Sequence, residues 1–259
     1  CIRDSYRVYN GEKVEVKGLP EIYNRGQGGL LDVALHPDYE NNKIIYLTAG
    51  VHIEGDAGGN TALYCGELNG NSLSNLKLLY KGKSNTKKGQ HWGSRIVFDY
   101  KGHIFFGIGD RGNRDVNPQD LNRDGGKIYR LNLDGSIPID NPFADQEGAL
   151  KAVYSYGHRN PQGMTINPET GEIWENEHGP KGGDEINIIQ KGKNYGWPVI
   201  TYGINYSGTS ITDKTSMPGM EQPFYYWVPS IAPSGMAFSS SNVYNQWKGD
   251  LFVGSLKFK

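Results

Sequence analysis

Apolar residues recur along the chain in pairs of short segments that alternate between hydrophobic and polar positions. The paired segments are 29–35 with 43–48, 94–98 with 103–108, 163–166 with 172–175, and 235–238 with 250–254. Alternation with a period of two is typical of β-strands, and a polar turn between two such segments favours an antiparallel hairpin. The pattern therefore predicts four β-hairpins.

The hairpins recur at a nearly constant interval. Leu31, Ile96, Met164 and Met236 occupy matching positions in the four first strands, and they follow one another by about 70 residues, an interval that indicates a repeat architecture. Further strands are predicted at 61–68, 76–80 and 127–133. A β-sandwich would place its turns closer together, whereas several strands per repeat fit the blades of a β-propeller.

The composition agrees with an all-β fold. Of the 259 residues, 36 are Gly, 13 are Pro and 17 are Tyr, which is typical of many tight turns and few long helices. The 27 Lys and Arg nearly balance the 28 Asp and Glu, so no basic surface predicts a nucleic-acid partner. No apolar run reaches the length of a membrane span. Two cysteines form neither a disulfide framework nor a metal cluster.

Polar residues cluster where the repeat predicts one end of the sheets. Segments 156–164 and 177–187 combine charged and amide side chains with Gly and Pro, and both are predicted to be loops that carry chemistry. In an antiparallel hairpin, the start of the first strand and the end of the second lie at the same edge. The residues that this rule brings to one face are Gln27, His91, Asp110, Arg159, Asn160, Gly179, Pro180 and Lys257.

These side chains suggest a defined chemistry. His91 is a candidate general base, because the pKa of a histidine lies near neutral pH. Arg159 and Lys257 can hold an anion or stabilise developing negative charge. The carbonyls of Gly179 and Pro180 can bind a hard cation such as Ca²⁺. Each residue alone has an ordinary structural interpretation, and the shared position in the repeat is what distinguishes the set.

Eight motifs, in this order, resemble those of a known family. They are GQGGLLDV (26–33), QHWGSR (90–95), IGDRG (108–112), RLNLDGSIPIDNP (130–142), GHRNPQG (157–163), HGPKGGDEIN (178–187), NYGWP (194–198) and GSLK (254–257). The chain resembles, over nearly its whole length, the soluble aldose sugar dehydrogenases that depend on pyrroloquinoline quinone (PQQ). Soluble glucose dehydrogenase belongs to the same family.

The resemblance implies a function and roles for the convergent residues. It implies oxidation of an aldose at C1 to the lactone, with hydride transfer to PQQ and assistance from Ca²⁺. His91 matches the family's base, and Arg159 matches the cation next to quinone and substrate. Asn160 and Lys257 match quinone contacts, and the carbonyls of Gly179 and Pro180 match Ca²⁺ ligands.

Further site residues and partners are also implied by the resemblance alone. Gln27, Asp110 and Trp227 fall where the family lines its sugar pocket, and Glu185 and Tyr195 resemble part of a second, structural Ca²⁺ site. The expected partners are an aldose and an electron acceptor that the sequence does not name. The expected state is a monomer or homodimer without a membrane span, located in the periplasm or outside the cell.

The family's fold is a six-bladed β-propeller, with the quinone over the central channel. Measured against that pattern, residues 1–259 form a single propeller domain that is incomplete at both ends. The start of the first blade and the last blade are missing, so we expect a fragment of a longer chain, and a genuinely shorter propeller is the alternative. A strand predicted over 2–9 lies close to the end of that first blade.

Two other functions remain open at this point. A non-catalytic propeller could use the same channel face to bind a glycan or a protein. A lactone or phosphoester hydrolase would use Ca²⁺ to activate water, but it would need several carboxylates or amides around the metal. The motif at 178–187 offers mainly carbonyls, which disfavours the hydrolase.

Overall fold

The structure is a computed structural model that describes residues 4–52, 55, 58–83 and 86–257. Regular structure in these residues is almost entirely β-strand. The helical segments seen there are α1 (Tyr39–Asn42) and a 3₁₀ turn at Asn245–Trp247. Neither has the length and apolar character that crossing a bilayer requires. The prediction of an all-β fold is confirmed.

Three sheets have four antiparallel strands each, and the strands pair in chain order. The first sheet contains β3 (Leu30–Leu35), β4 (Ile44–His52), β5 (Gly59–Asn69) and β6 (Ser72–Lys81). The second sheet contains β7 (Ile96–Phe98), β8 (His103–Ile108), β9 (Lys127–Asn132) and β10 (Val153–Tyr156). The third sheet contains β11 (Pro161–Ile166), β12 (Ile173–Glu177), β13 (Asp184–Ile189) and β14 (Tyr225–Trp227).

Two strand pairs flank these sheets. They are β1 (Tyr6–Tyr9) with β2 (Glu12–Glu15), and β15 (Pro233–Phe238) with β16 (Leu251–Ser255). The first strands of successive sheets touch one another, β3 with β7, β7 with β11, and β11 with β15. Four-stranded meanders arranged around their first strands are the architecture of a β-propeller.

The predicted hairpins correspond to β3–β4, β7–β8, β11–β12 and β15–β16. The two segments predicted to be loops, 156–164 and 177–187, are partly strand. Residue 156 ends β10, residues 161–164 belong to β11, and residue 177 ends β12. Residues 184–187 belong to β13, which pairs with β12 on one side and β14 on the other. Of the strand predicted over 2–9, residues 1–3 lie outside the described part of the chain, and β1 begins at Tyr6.

The core explains why the strands of the second sheet are apolar on both faces. Ile104 and Phe106 of β8 pack with Tyr46 and Leu63 of the first sheet, whereas Phe105 packs with residues of the third sheet. Each large side chain that is fully buried in this way contributes about 1.5–3 kcal/mol to stability. Face-to-face packing of successive sheets therefore fixes the positions of the loops at their ends.

Two carboxylates, the half-buried Asp32 and the buried Asp184, tie neighbouring sheets together. Asp32 in β3 accepts hydrogen bonds from Arg95 Nη1 and from the backbone N–H of Ile96, both at 2.8 Å. Asp184 in β13 accepts from Ser230 Oγ at 2.6 Å and from the N–H of Ala232 at 2.8 Å. Each contact joins one sheet to the start of the next, which holds the site loops described below in a fixed arrangement.

Candidate active site

Loops from the second and third sheets meet at one end of the fold around a cavity of about 270 Å³. His91 lies before β7, Asp110 after β8, Arg159 before β11 and Pro180 after β12, and all four line this space. We call it the His91 cavity. The structure thus brings together four of the residues that the topology predicted to converge.

His91 and Asp110 form a close polar pair at this cavity. Nδ1 of His91 lies 2.6 Å from Oδ1 of Asp110, and the two side chains are 13% and 1% exposed. Burial alone would raise the pKa of Asp110, but the hydrogen bond and charge of His91 and the charge of Arg159 outweigh it and hold that pKa below its usual value. Asp110 is therefore an ionised acceptor, Nδ1 of His91 carries the hydrogen, and Nε2 is left to accept a proton.

The His91 loop is held in an unusual backbone conformation. His91 has φ +55°, in the left-handed region that residues other than glycine seldom adopt. Its N–H donates to Oε1 of Gln27 at 2.8 Å. A Cβ on Gly109 would lie 2.5 Å from the His91 carbonyl oxygen, so only glycine permits the close approach of the two loops. Gln27 thus positions the His91 backbone in this structure.

Arg159 lies on the same cavity and is 7% exposed. Its Nη1 donates to the carbonyl oxygens of His178 and Gly179, each at 2.7 Å. Its guanidinium carbon lies 5.4 Å from the centroid of the Trp197 ring. These contacts hold the cation in a fixed orientation at the cavity wall.

The turn at Gly179-Pro180 is closed by a buried carboxylate. The N–H of Gly179 donates to Oδ1 of Asp184 at 2.8 Å, and a side chain at 179 would collide with the carbonyl oxygens of Gly182 and Gly183. Carbonyl oxygens are consequently crowded at this corner. A carbonyl has two lone pairs, so Gly179 can accept from Arg159 and still bind a hard cation, which is consistent with the predicted ligand role of Gly179 and Pro180.

Three further predicted site residues do not line the His91 cavity. Lys257 lines a neighbouring cavity of about 480 Å³ that shares Pro180 and Tyr206 with the His91 cavity. Asn160 is buried beside Arg159, and its N–H donates to Oε2 of Glu177 at 3.1 Å. Trp227 does not join the set, because it lines a separate hollow formed with other aromatic residues of β14.

A second group of polar side chains is buried behind Arg159. We call it the sealed carboxylate cluster, and it consists of Glu175, Glu177, Glu185, His158 and Asn187. Glu177 is its centre. It accepts from the N–H of Arg159, and its Oε1 lies 3.3 Å from Nδ1 of His158. Glu177 therefore fixes the start of the loop that presents Arg159 to the cavity.

The sealed carboxylate cluster is short of compensating groups. Burial, and then repulsion by Glu177, raise the pKa of Glu175 and of Glu185 well above the usual value for glutamate. Oε1 of Glu175 and Oδ1 of Asn187 are buried and have no hydrogen-bond partner among the described residues. Glu185 and Tyr195, the predicted second Ca²⁺ ligands, line the small space next to this cluster.

Trp197 is a cavity residue that sequence reasoning gave no role. Its Nε1 donates to Oδ2 of Asp110 at 2.9 Å, and its ring lies at the cavity wall. The motif NYGWP was visible in the sequence, but it lies in the long connection after β13, outside the repeated hairpins. The rim residues Lys88, Arg114 and Tyr206 were missed for the same reason.

Residues 5–259 match the family model described as glucose/sorbosone dehydrogenase. The aldose sugar dehydrogenase YliI of Escherichia coli is 45% identical over 259 residues, which cover 98% of this chain and 69% of that protein. Quinoprotein glucose dehydrogenase B of Acinetobacter calcoaceticus is 31% identical over 277 residues, covering 96% of this chain and 56% of that protein.

Solved structures match as well. The apo form of the soluble aldose sugar dehydrogenase of Escherichia coli superposes with a TM-score of 0.93 at 42% identity, covering 97% of this chain and 74% of that chain. The PQQ-bound aldose sugar dehydrogenase of Streptomyces coelicolor superposes with a TM-score of 0.78 at 28% identity, covering 98% of this chain and 68% of that chain.

Proposed function

Because the chain belongs to the glucose/sorbosone dehydrogenase family, we propose that it serves in the quinone-dependent oxidation of aldose sugars at C1 to lactones. PQQ and Ca²⁺ are the proposed cofactors, and a relative of known structure binds PQQ. When bound, the quinone supplies a hydride acceptor and Ca²⁺ supplies a Lewis acid. A periplasmic or extracellular location belongs to the same proposal.

The observation that carries the proposal is the His91–Asp110 pair on the wall of a cavity that Arg159 also lines. Oxidation of an aldose at C1 requires removal of the proton from the anomeric hydroxyl. Nε2 of His91 is suited to accept that proton, because the Asp110 carboxylate holds the hydrogen on Nδ1 and stabilises the imidazolium that forms.

Arg159 is proposed to orient the anionic or polarised oxygens of the ligands. Its guanidinium is always charged, and two backbone carbonyls fix its direction. A fixed cation at the cavity wall stabilises negative charge at low reorganisation cost. Lys257, in the neighbouring cavity that shares Pro180, is the second cation proposed to contact the quinone, and Asn160 is a further proposed contact.

The cavity corner fits a calcium ion in its donor chemistry. The Gly179-Pro180 turn presents carbonyl oxygens, which Ca²⁺ prefers as ligands, and Asp184 holds that turn in place. We propose that the carbonyls of Gly179 and Pro180 hold the Ca²⁺ associated with the quinone.

The sealed carboxylate cluster fits the proposed second, structural Ca²⁺. Oε1 of Glu175 and Oδ1 of Asn187 are buried without a hydrogen-bond partner among the described residues, and the pKa values of Glu175 and Glu185 are raised, so a cation would offset charge repulsion in the cluster. Glu185 and Tyr195 border the space next to the cluster. We propose these two residues as ligands of that ion.

A reconstitution experiment tests the function. The chain is titrated with PQQ and Ca²⁺, glucose is added, and reduction of the quinone is followed by its absorbance. We expect His91→Ala to slow reduction by about 10²–10⁴-fold, the usual contribution of a positioned base. His103→Ala is the matched control, because His103 pairs with Asp99 at 2.7 Å in a hairpin turn of the second sheet.

The outcomes separate the candidate functions. Quinone binding without reduction by any aldose would contradict sugar oxidation. Absence of both quinone binding and a Ca²⁺ effect would favour a non-catalytic binding propeller. Reduction that survives His91→Ala at the rate of the His103→Ala control would remove His91 from the mechanism.

A further inference from the structure

Trp197 contacts Arg159 directly and reaches His91, the proposed base, through Asp110. Its Nε1 donates to Oδ2 of Asp110 at 2.9 Å, and Asp110 is the partner of His91. The face of its ring lies 5.4 Å from the guanidinium carbon of Arg159. We propose that Trp197 is a positioning residue that sets the proton affinity and orientation of His91 through Asp110, and the orientation of Arg159 through its ring. The inference rests on the proposed function.

The position of the Trp197 indole is fixed because hydrogen bonds hold the backbone of this residue on two sides. The N–H of Trp197 donates to the carbonyl oxygen of Gly157 at 2.8 Å, and its carbonyl oxygen accepts from Nε2 of Gln119 at 2.8 Å. The residue is 6% exposed. Its ring therefore has a defined place at the cavity wall.

Asp110 distributes its oxygens among three donors. Oδ1 accepts from His91 Nδ1 at 2.6 Å and from the N–H of Gly112 at 2.7 Å, and Oδ2 accepts from Trp197. The indole N–H stabilises the ionised carboxylate and withdraws part of its negative charge from the bond to His91. Without that donor, Asp110 would be more basic and would bind the imidazolium form of His91 more strongly.

A substitution that removes the indole N–H and keeps a ring isolates this effect. We expect Trp197→Phe to move the titration midpoint of the His91 ring above that of the wild type, because the charged Asp110 carboxylate loses a hydrogen-bond donor and attracts the imidazolium more strongly. The other charged or titratable groups at the cavity or near the imidazole stay in place. They are Lys88, Arg111, Arg114, Asp115, Arg159, His178 and Tyr206.

Trp174→Phe is the matched control. Trp174 is also buried, at 8% exposed, but its Nε1 has no hydrogen-bond partner among the described residues. Titration of the His91 ring resonances by NMR, on the chain without cofactor, compares wild type with both variants. The expected result is a rise in the midpoint for Trp197→Phe alone. Equal midpoints in the three proteins would overturn the proposal.

A measurement on the wild type covers the case in which Trp197→Phe does not fold. The indole ¹H–¹⁵N resonance of Trp197 should shift with pH at the same midpoint as the His91 ring, since Asp110 connects the two. The Trp174 indole resonance should not follow that titration. A Trp197 resonance that is indifferent to the ionisation of His91 would also overturn the proposal.

Activity provides the link to catalysis. With PQQ, Ca²⁺ and glucose, Trp197→Phe should lower kcat/KM by about tenfold and move the acidic limb of its pH profile upward, while Trp174→Phe leaves that limb in place. A lower rate with an unchanged profile would indicate a merely structural role and contradict the proposal. If no variant oxidises sugar but the NMR midpoints differ as expected, the proposed function fails and the positioning role of Trp197 stands.

Discussion

Two imidazole–carboxylate pairs, His91–Asp110 and His158–Glu177, have opposite surroundings. His91–Asp110 borders an open cavity, where three donors satisfy the carboxylate and its pKa is lowered although burial opposes this. His158–Glu177 lies in the sealed carboxylate cluster, where burial and neighbouring carboxylates raise the pKa of Glu175 and Glu185. Similar residue types thus have a lowered carboxylate pKa in one place and raised carboxylate pKa values in the other, and the surrounding donors make the difference.

The largest expected effect concerns the open pair. Asp110→Asn should reduce kcat/KM by about 10²–10⁴-fold, because the amide no longer holds the hydrogen on Nδ1 of His91. Steady-state kinetics of the reconstituted protein measure the loss. Asp99→Asn, which disrupts the His103 pair in the turn, is the control. A loss of less than threefold for Asp110→Asn would show that the pair is not catalytic.

The next effect concerns stability and the sealed pair. Glu177→Ala should lower the free energy of unfolding by about 3–5 kcal/mol, since buried donors of Arg159, Asn160 and His158 lose their acceptor. Urea denaturation measures the change. Glu169→Ala, in an exposed turn, should change stability by less than about 0.5 kcal/mol. Equal stability of the two variants would contradict the central role of Glu177.

The effect of Ca²⁺ on stability should distinguish the two regions, because the sealed carboxylate cluster is the proposed structural Ca²⁺ site. At a free Ca²⁺ concentration of about 100 times Kd, one bound ion should stabilise the wild type by about 2.7 kcal/mol. Glu185→Gln should reduce that gain, whereas Glu169→Gln should retain it. Thermal unfolding with and without Ca²⁺ measures the gain. An undiminished gain in Glu185→Gln would exclude Glu185 as a ligand.

The smallest expected effect is a difference in how the His91–Asp110 pair and the sealed carboxylate cluster make stability depend on pH. A chelator is present in this measurement to remove Ca²⁺. The pKa of Glu175 is raised in the folded state, so its contribution is fully present below the unfolded value of about 4.3 and is lost as pH rises towards the folded value. The pKa of Asp110 is lowered, so its contribution is present above about 3.9 and is lost as pH falls.

Glu175→Gln should therefore flatten a decline in stability towards neutral pH, by about 1 kcal/mol or more between pH 4 and 7. Urea midpoints across that range measure it, with Glu172→Gln on the exposed turn as control. The contrary outcome is a free energy of unfolding that rises steadily with pH in the wild type and has the same slope in Glu175→Gln. It would show that neighbouring groups already compensate the charge of Glu175.

Much of the open site was predictable from the sequence. The period of the hairpins and the antiparallel rule are enough to bring His91, Asp110, Arg159 and Pro180 to one face, and the structure has them on one cavity. Trp197 was not predictable in this way. It comes from an irregular connection, whose path depends on tertiary contacts such as the one between Gln119 and the Trp197 carbonyl.

The sealed carboxylate cluster, in contrast, was not predictable from the sequence. Alternation along β12 predicts that Glu175 and Glu177 share a face, but alternating charges in a sequence resemble a solvent-exposed face. Their burial follows from packing against the His158 loop and from Glu185 and Asn187 on β13, which pairs with β12 along its whole length. Residues 184–187 had been read as loop, so this neighbour was missing from the sequence interpretation.

The polar turns inside the hairpins have a practical consequence. The turn at 99–102 joins β7 to β8, and the turn at 167–172 joins β11 to β12, so both lie at the end of their sheets remote from the His91 cavity. Exposed turns of this kind tolerate insertions. A fluorophore, an affinity tag or a tether to an electrode surface attached at these corners would leave the entrance to the His91 cavity open.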